Sequence, residues 1–401
     1  MSKLIHKDVL RIKKMKILLV HNDYGKYSGE EAVVDKMAGM LAEMGHKVAQ
    51  LRMTTAGARE SISGKIKGFV SGIYCPSGVR AMREAIEREK PDVVNVHNLY
   101  PFISPAALRE CKKAGVPVVM TIHNFRLICP TGLFMRDGRP CEHCLEKGNE
   151  WGCIKYNCEH SALKSIGYAA RNAVARLRHH YIDCVDVFAC ITDFQRNKLI
   201  EAGYPKEKIL VIPNSMDVSE TVETSPGNYV AFSGRISREK GVDMIIEVAR
   251  RHPEIPFKLA GAVRDKELIE NLPDNVELMG HLSGYDFEQF NINAKFFMMA
   301  SRCYEGFPMA ILEAARYNKP MIAPDHGGFT EIIGKGYDKI GLLFKPNDTG
   351  ALERAVVGLW NDPDKINSLG ALAHQKLINK YSTSVIANSW NELFKNINSY
   401  E

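Results

Sequence analysis

CYEGFPMAILEAA, residues Cys303–Ala315, is the most informative segment of this 401-residue chain. Glu305 and Glu313 stand in it with seven residues between them. The preceding run KFFMMA, Lys295–Ala300, is apolar enough for a strand buried on both faces. Pro308 suits the first turn of a helix, where its missing N–H costs nothing, so we expect a helix to begin near this residue.

Glu305 would then lie on the loop at the C-terminal end of a parallel strand, where open α/β sheets bind their ligands. The free amides of Phe307, Met309 and Ala310 would face an incoming polar group. Glu313 lies further along the helix among apolar neighbours, so its carboxylate requires a partner such as ribose hydroxyls. The alternative is an exposed loop glutamate followed by a solvated helical glutamate, since charged residues are mostly exposed.

The N-terminal half begins with a similar pattern of strand, turn and helix. KILLV, Lys16–Val20, is a continuous apolar run typical of a buried parallel strand. Ser28 can cap a helix that starts near Glu30. The amides at that helix start, including the amide of Gly29, can hold a phosphate or a sugar hydroxyl. A plain connection between strand and helix is the alternative.

Two histidines follow apolar runs in this half. The runs DVVNVHN and VPVVMTIHN both end in His-Asn, so that His97 and His123 lie next to the last residue of each. The C-terminal ends of parallel strands meet at one edge of a sheet, so both histidines are expected near the first glycine turn. Either histidine could instead be a structural hydrogen-bonding group.

A second glycine turn opens the C-terminal half. Gly234 ends the run NYVAFS, and Arg235 and Lys240 flank the turn before the next helix. Arginine can bind a diphosphate with two hydrogen bonds and lysine acts as a point charge, so this pair suits a diphosphate. Ordinary surface charge is the alternative.

These motifs together resemble those of the family 4 glycosyltransferases, over nearly the whole chain from about Met15 to Asn398. Glu305 and Glu313 match the family motif E-x7-E, and the segment 234–241 matches G-R-x4-K-G. Gly327, Gly328 and Glu331 match G-G-x-x-E. The chain departs from the family at Ser28, where paired glycines usually precede the glutamate.

The resemblance implies an α/β fold with two Rossmann-like domains facing across a cleft, the GT-B fold. It implies a retaining transfer of sugar from a UDP- or GDP-sugar to a hydroxyl of a glycan or lipid-linked acceptor, in cell-surface polysaccharide synthesis. Glu305 and His123 would contact the donor sugar, and Arg235 and Lys240 would stabilise the leaving diphosphate. Glu313 would hold the ribose. The remaining donor-binding residues would be Gly29, Gly234, Phe307, Met309, Ala310 and Glu331.

Two alternatives to a sugar transferase stay open. One is another GT-B enzyme, such as a phosphorylase, a synthase or an epimerase. The other is a catalytically silent subunit that binds sugar or supports assembly. We expect no catalytic metal, because the one Asp-x-Asp, at Asp362–Asp364, has a proline between its acids and is typical of a helix start.

The expected domain boundaries follow the same resemblance. Residues 15–217 would form the acceptor-side domain with an insert over 124–160, and residues 218–380 the nucleotide-sugar domain. Residues 381–401 would form a helix that crosses back onto the first domain. Residues 1–14 would be a disordered extension or an alternative start.

The insert contains five of the ten cysteines, at positions 129, 141, 144, 153 and 158. Cysteine-rich inserts occur in a subset of the resembling family. We expect a structural Zn2+ on Cys129, Cys141, Cys144 and Cys158, since four thiolates leave no open position for substrate. Cys158 better matches the last cysteine of the family, which leaves Cys153 as the spare, although Cys153 could replace Cys158 as the fourth ligand. Reduced thiols in a packed loop, or a redox pair, are the alternatives.

Composition limits the possible partners and compartments. A net charge of +6 suits phosphate-bearing ligands or an anionic membrane but does not indicate a nucleic-acid binder. The sequence has no apolar run long enough to span a membrane. Clustered free cysteines favour a reducing compartment, so we expect a cytoplasmic protein that could lie at the inner face of the membrane.

One predicted helix is basic and amphipathic. In the segment 161–181, apolar residues recur at steps of three and four: Leu163, Ile166, Ala170, Val174 and Leu177. This spacing predicts a helix that packs its apolar side on the sheet and leaves a basic side in solvent. Peripheral contact with anionic lipid is the alternative.

Overall fold

The computed structural model describes residues 14–25, 28–56, 68, 70–218 and 223–397. Within these ranges the chain forms two α/β units, each built on a six-stranded parallel sheet. The extension expected over residues 1–14 lies, apart from Lys14, outside the described residues.

The first unit has its sheet order 2-1-3-4-7-8, with a separate two-stranded hairpin inserted after the fourth strand. Its central strands are wholly buried because helices cover both faces. The strands are β1 (Lys16–Asp23), β2 (Lys47–Thr54), β3 (Val93–Asn98), β4 (Val118–Ile122), β5 (Met135–Arg136), β6 (Arg139–Pro140), β7 (Val187–Cys190) and β8 (Ile209–Val211).

The helices of the first unit differ greatly in length, and the shortest fall in the cysteine-rich insert. They are α1 (Gly29–Glu43), α2 (Pro76–Glu89), α3 (Leu108–Lys113), α4 (His143–Glu146), α5 (Trp151–Lys155), α6 (Ala162–Leu177) and α7 (Asp193–Glu201). Ser28 caps α1 through its hydroxyl, as the sequence predicts, and Thr192 caps α7 in the same way.

The second unit has the sheet order 11-10-9-12-13-14. Its strands are β9 (Tyr229–Ser233), β10 (Phe257–Ala260), β11 (Val276–Gly280), β12 (Ala294–Met298), β13 (Met321–Pro324) and β14 (Gly341–Phe344). Its helices are α8 (Val242–Arg251), α9 (Gly284–Ile292), α10 (Met309–Arg316), α11 (Gly327–Ile333), α12 (Thr349–Trp360), α13 (Pro363–Lys376) and α14 (Thr383–Lys395). Asp362 caps α13, as its helix-start pattern predicts.

Each sheet has a point at which its strand order reverses, between β1 and β3 in the first unit and between β9 and β12 in the second. Open α/β sheets bind ligands in the crevice beside such a reversal. The last helix, α14, belongs by sequence to the second unit but buries Trp390, Leu393 and Phe394 in a core with β1 and α1 of the first. The two units are therefore connected at both the linker and the C-terminal end.

The predicted orientation of α6 is wrong. Its expected packing face is exposed at Leu163, Ile166 and Leu177, and the opposite face is buried. The cause is a set of polar contacts on that opposite face: Arg171 donates to the carbonyl of Pro130 at 2.8 Å, and neighbouring Asn172 and Ser165 are also bonded and buried.

Candidate active site

The two reversal points face each other, and their loops are in contact. The loop after β12 carries Glu305 and Gly306. A Cβ added to Gly306 would lie only 3.3 Å from the carbonyl oxygen of His123, at the end of β4. The hydroxyl of Thr192 donates to the carbonyl of Gly306 at 3.1 Å. The structure therefore brings the two predicted sugar-contacting residues, Glu305 and His123, to one place between the units.

Glu305 is held by Lys240 and Ser301. The Lys240 ammonium forms an ion pair with the Glu305 carboxylate, and the Ser301 hydroxyl donates to the same oxygen at 2.9 Å. Burial opposes ionisation of Glu305, but the charge and hydrogen bond of Lys240, together with the Ser301 hydroxyl and the charge of Arg235, hold the pKa below its usual value. The opposite sign applies to Lys240, whose pKa is raised because Glu305 outweighs burial. Both side chains are thus charged at neutral pH.

Arg235 lies near this pair, at the strand end predicted for it. Its guanidinium bonds Glu239 and is about half exposed, at 53%. Its charge also lowers the pKa values of Glu305 and Lys240, so it lies within electrostatic range of both. Gly234 precedes it and donates its amide to the carbonyl of Ala260 at 2.9 Å. The two cations predicted for a diphosphate, Arg235 and Lys240, therefore both lie near Glu305, and their contact with a diphosphate stays a prediction.

Glu313 lies in the wall of a cavity of about 260 Å³ between α1 and α10, which Gly29 and Met309 also line. Among the described residues no donor is bonded to its carboxylate. Burial raises the pKa of Glu313 to about 7. The structure thus brings three predicted donor-binding residues to one cavity, and it leaves the carboxylate with unused hydrogen-bonding capacity.

The helix start in this segment differs slightly from the prediction. Helix α10 begins at Met309, and Pro308 is the extended residue before it rather than part of its first turn. Phe307 is buried against the ring of Tyr381, with the ring centres 5.6 Å apart. Ala310 is partly buried against the core of the second unit.

Glu331 has a contact that its motif did not predict. Its carboxylate accepts the backbone amides of Asp193 and Phe194, both at 2.9 Å, and so supports the N-terminus of α7 in the other unit. Nearby, Gly328 donates to the carbonyl of Glu305 at 2.8 Å, and a Cβ at Gly328 would lie 2.5 Å from the carbonyl of Gly306. Glycine is therefore required there for the two loops to approach. Donor contact by Glu331 stays a prediction.

His97 and His123 form a stacked pair at the carboxyl ends of β3 and β4. His97 Nδ1 lies 2.8 Å from His123 Nε2, and their ring centres are 5.1 Å apart. Burial lowers the pKa of His123 to about 4 and that of His97 well below its usual value. Both rings are therefore neutral at physiological pH, and one donates to the other.

The sequence reasoning missed a polar network beside these histidines. The Tyr24 hydroxyl donates to Glu30 at 2.9 Å, and Arg126 donates to Tyr24 at 3.4 Å and to Asn98 at 3.2 Å. The four residues come from three separate strand ends and a helix start, so no local spacing connects them. The available signal is the polar run HNDY, residues 21–24, directly after the apolar run KILLV.

The cysteine-rich insert surrounds a small cavity of about 20 Å³. The thiols that line it, together with His143, are those of Cys129, Cys141, Cys144, Cys153 and Cys158. All five are unbridged. As placed, no group of three or more His, Cys, Asp or Glu side chains in the described ranges is arranged to hold a metal ion. The zinc site therefore stays a prediction.

The insert also contacts the loop that carries Glu305. The fully buried ring of Phe134 lies 6.1 Å from that of Tyr304, the residue before Glu305, and 4.9 Å from that of Phe125. Tyr304 in turn lies 5.0 Å from Phe194 of α7. The insert is thus packed beside the candidate active site rather than projecting from the surface.

In the part of the chain that the structure describes, none of the helices combines the length and apolarity that crossing a bilayer requires.

Two family models match the chain along most of its length. The model described as Glycosyltransferase Family 4 matches residues 27–220, and the model described as Glycosyl transferases group 1 matches residues 217–376. The two matches meet between the two sheets.

Individual relatives agree with these models. An uncharacterized glycosyltransferase of Methanocaldococcus jannaschii is 30% identical over 310 residues, which is 76% of each chain. The alpha-D-kanosaminyltransferase of Streptomyces kanamyceticus is 25% identical over 311 residues, which is 74% of each chain. The crystal structure of HepE of Anabaena in complex with UDP and glucose superposes with a TM-score of 0.66 at 18% identity, covering 95% of this chain and all of that one. With its two facing α/β units, the chain therefore has the GT-B fold and belongs to glycosyltransferase family 4 as a transferase.

Proposed function

We propose that this protein transfers a sugar, with retention of configuration, from a UDP- or GDP-sugar to a hydroxyl of a glycan or lipid-linked acceptor in cell-surface polysaccharide synthesis. The observation that carries the proposal is the ion pair of Lys240 and Glu305, which lies in the cleft opposite His123. The pair couples a carboxylate suited to the donor sugar with a cation suited to the departing diphosphate.

The reaction requires charge stabilisation at two places. As the glycosidic bond to the diphosphate breaks, positive charge develops on the sugar and negative charge on the leaving oxygen. Arg235 and Lys240 supply positive charge to the leaving group, where it is most effective in a cleft that excludes water. Glu305 holds the sugar, and its alignment is fixed by Lys240 and Ser301.

Retention follows from attack on the face that the diphosphate leaves. Glu305 is already bonded to Lys240, which makes it a poor covalent nucleophile. The acceptor hydroxyl would approach from the side of His123 and pass its proton to the departing phosphate oxygen. Neutral His123 can then orient a sugar hydroxyl through the ring nitrogen that carries its hydrogen.

The nucleoside end of the donor would bind in the second unit. A ribose in the cavity beside α10 would supply the two hydroxyl donors that the Glu313 carboxylate lacks. HepE, whose crystal structure contains UDP and glucose, supports a UDP-sugar as the first donor to test.

A thermal-shift screen against UDP-, GDP- and ADP-sugars tests the donor class, because ligand at 100 times its Kd stabilises by about 2.7 kcal/mol. We expect one sugar nucleotide to raise Tm and to release free nucleoside diphosphate on incubation. A rise in Tm without any release, with acceptor extracts present, would instead indicate the silent sugar-binding subunit.

We also propose that the insert holds one structural Zn2+ through Cys129, Cys141, Cys144 and Cys158. The support is that these thiols all line one small cavity, within a segment whose longest helix has five residues. A segment with so little regular structure needs a cross-link to hold its fold where Phe134 packs against Tyr304. Reduced thiols of this kind belong in the cytoplasm.

A further inference from the structure

The exposed stripe of α6 is the feature that the transfer reaction leaves unexplained. Leu163 is 76% exposed, Ile166 42% and Leu177 67%. Ile166 and Leu177 lie three and fourteen residues along from Leu163, on one side of the helix, with Ala170 and Val174 between them. A surface helix normally turns such a stripe toward the core.

The stripe cannot turn inward, because the other side of α6 is fixed by polar contacts. The guanidinium of Arg171 is buried between the rings of Tyr100 and Tyr168, at 4.5 and 4.0 Å from their centres. Its Nη2 also donates to the carbonyl of Pro130 at 2.8 Å. Rotation of the helix would strip these groups of their partners, which is costly for a buried charge.

Trp151 lies on α5, which packs against α6, and its side chain is 65% exposed. Helix α5 is joined to the first turn of α6 through Ser165. The Cys153 thiol donates to the carbonyl of Ser165 at 3.7 Å, and the amide of Glu159 donates to its hydroxyl at 3.2 Å. We define the outer apolar surface as Trp151, Leu163, Ile166 and Leu177.

The charge around this surface is positive. Residues 147–180 contain six Lys or Arg and two Glu; of the six cations Arg171 is buried, and the five that are exposed are Lys147, Lys155, Lys164, Arg176 and Arg178. One of the glutamates, Glu150, is paired with Arg176 at 2.9 Å. Lys155 and Lys164 are exposed next to Trp151 and Leu163. Basic side chains beside a tryptophan and aliphatic residues are the combination that binds the interface of an anionic membrane.

We propose that the outer apolar surface docks the protein onto an anionic lipid bilayer, with α6 lying in the membrane plane over a length of about 24 Å. This proposal rests on the proposed function and deepens it, since it makes the lipid-linked acceptor the relevant one. Asn172 of α6 donates to the carbonyl of Arg126, which bonds Asn98 beside the His97–His123 pair. Docking through α6 would therefore place the acceptor side of the cleft near the lipid headgroups.

Co-sedimentation of the full chain with vesicles tests the docking. We expect binding to phosphatidylcholine vesicles that contain phosphatidylglycerol, weaker binding to phosphatidylcholine alone, and a fall with added salt because the attraction is partly electrostatic. The variant Leu163→Ser/Ile166→Ser should lower the partition coefficient about tenfold or more. The matched control is Tyr285→Ser/Tyr337→Ser, which removes two side chains that are 72% and 105% exposed in the second unit and should change nothing.

Two further measurements distinguish membrane docking from failure of the transferase activity and from dimerisation through the same surface. Release of nucleoside diphosphate from the donor, measured with a detergent-dispersed lipid-extract acceptor and without vesicles, should be the same in all three proteins, so its loss throughout would count against the transferase and not against docking. Wild-type protein that does not bind phosphatidylglycerol vesicles would overturn the proposal. A dimer in sedimentation velocity that Leu163→Ser/Ile166→Ser abolishes, without vesicle binding, would show that a second copy covers the stripe and would overturn it too.

Discussion

The contact between Glu305 and Lys240 connects two roles that the sequence motifs treat separately. One residue is assigned to the sugar and the other to the diphosphate, yet they form one partly buried ion pair. Removing one partner of such a pair leaves the other charge uncompensated. Their contributions to the rate should therefore not be independent.

Lys240→Ala should lower turnover by about 10²–10³, the usual cost of losing one charge aimed at a leaving group. It should also raise the pKa of Glu305, because burial then acts without the opposing lysine. The acidic limb of the rate profile should consequently move to higher pH. Arg238→Ala is the control, since Arg238 lies two residues away but is exposed and paired only loosely with Glu267, at 3.5 Å. Wild-type turnover in Lys240→Ala would contradict the assignment.

Glu313→Gln should stabilise the ligand-free protein at pH 8 while weakening nucleoside diphosphate binding. Its pKa is raised from 4.5 to about 7, so the stability gained by protonation is present at low pH and lost as pH rises through 7. Removing the charge should therefore add on the order of 1–3 kcal/mol to the free energy of unfolding at pH 8, and less at pH 5. Denaturant unfolding at both pH values, with calorimetry for the nucleotide, measures this. A loss of stability at pH 8 would show that the carboxylate has a partner in the free protein.

The insert between β4 and α6 is the element that packs its cysteines beside the candidate active site. The insert encloses one cavity, which is lined by its hairpin, its two short helices and its five thiols. Phe134 of the insert also contacts Tyr304, the residue before Glu305. Whatever holds the thiols together should therefore also position the loop of Glu305.

Cys141→Ser/Cys144→Ser should take the zinc content from one equivalent to none and lower acceptor turnover, with nucleotide binding intact. Elemental analysis of protein purified without a metal-affinity tag, combined with thiol titration, measures this. Cys111→Ser is the control, because Cys111 is a buried core cysteine of α3 that does not line the cavity of the insert. Less than about a tenth of an equivalent of zinc in the wild type, with the thiols titratable, would favour packed reduced thiols instead.

Sequence patterns predicted where helices and strands lie better than they predicted which faces are buried and which residues meet across the cleft. Glu305, His123 and Lys240 were found because each follows an apolar run or a glycine turn, and parallel strands bring such ends together. Helix α6 was found by its period, but the period does not show which face is buried. Polar contacts of Arg171 decided that. The contact of Glu331 with α7 joins residues about 138 positions apart, which no local pattern reports.

The molecule consists of two units that contact each other at two places. One is the cleft, where the loops at the reversal points meet, and the other is the C-terminal helix. Glu331 supports α7, Thr192 bonds Gly306, and α14 returns to the first sheet. The two units are thus connected through the residues around Glu305. Ligand binding at either side can therefore affect the alignment of the other.

Release of nucleoside diphosphate from a UDP- or GDP-sugar, compared between wild type, Lys240→Ala and Arg238→Ala, tests the central claim most directly. We predict release by the wild type and by Arg238→Ala on addition of a lipid-extract acceptor, and release lower by about 10²–10³ in Lys240→Ala. Equal release by all three proteins would contradict a catalytic centre built on Glu305 and Lys240, and its absence from the wild type with every donor would contradict the transferase activity proposed for this cleft.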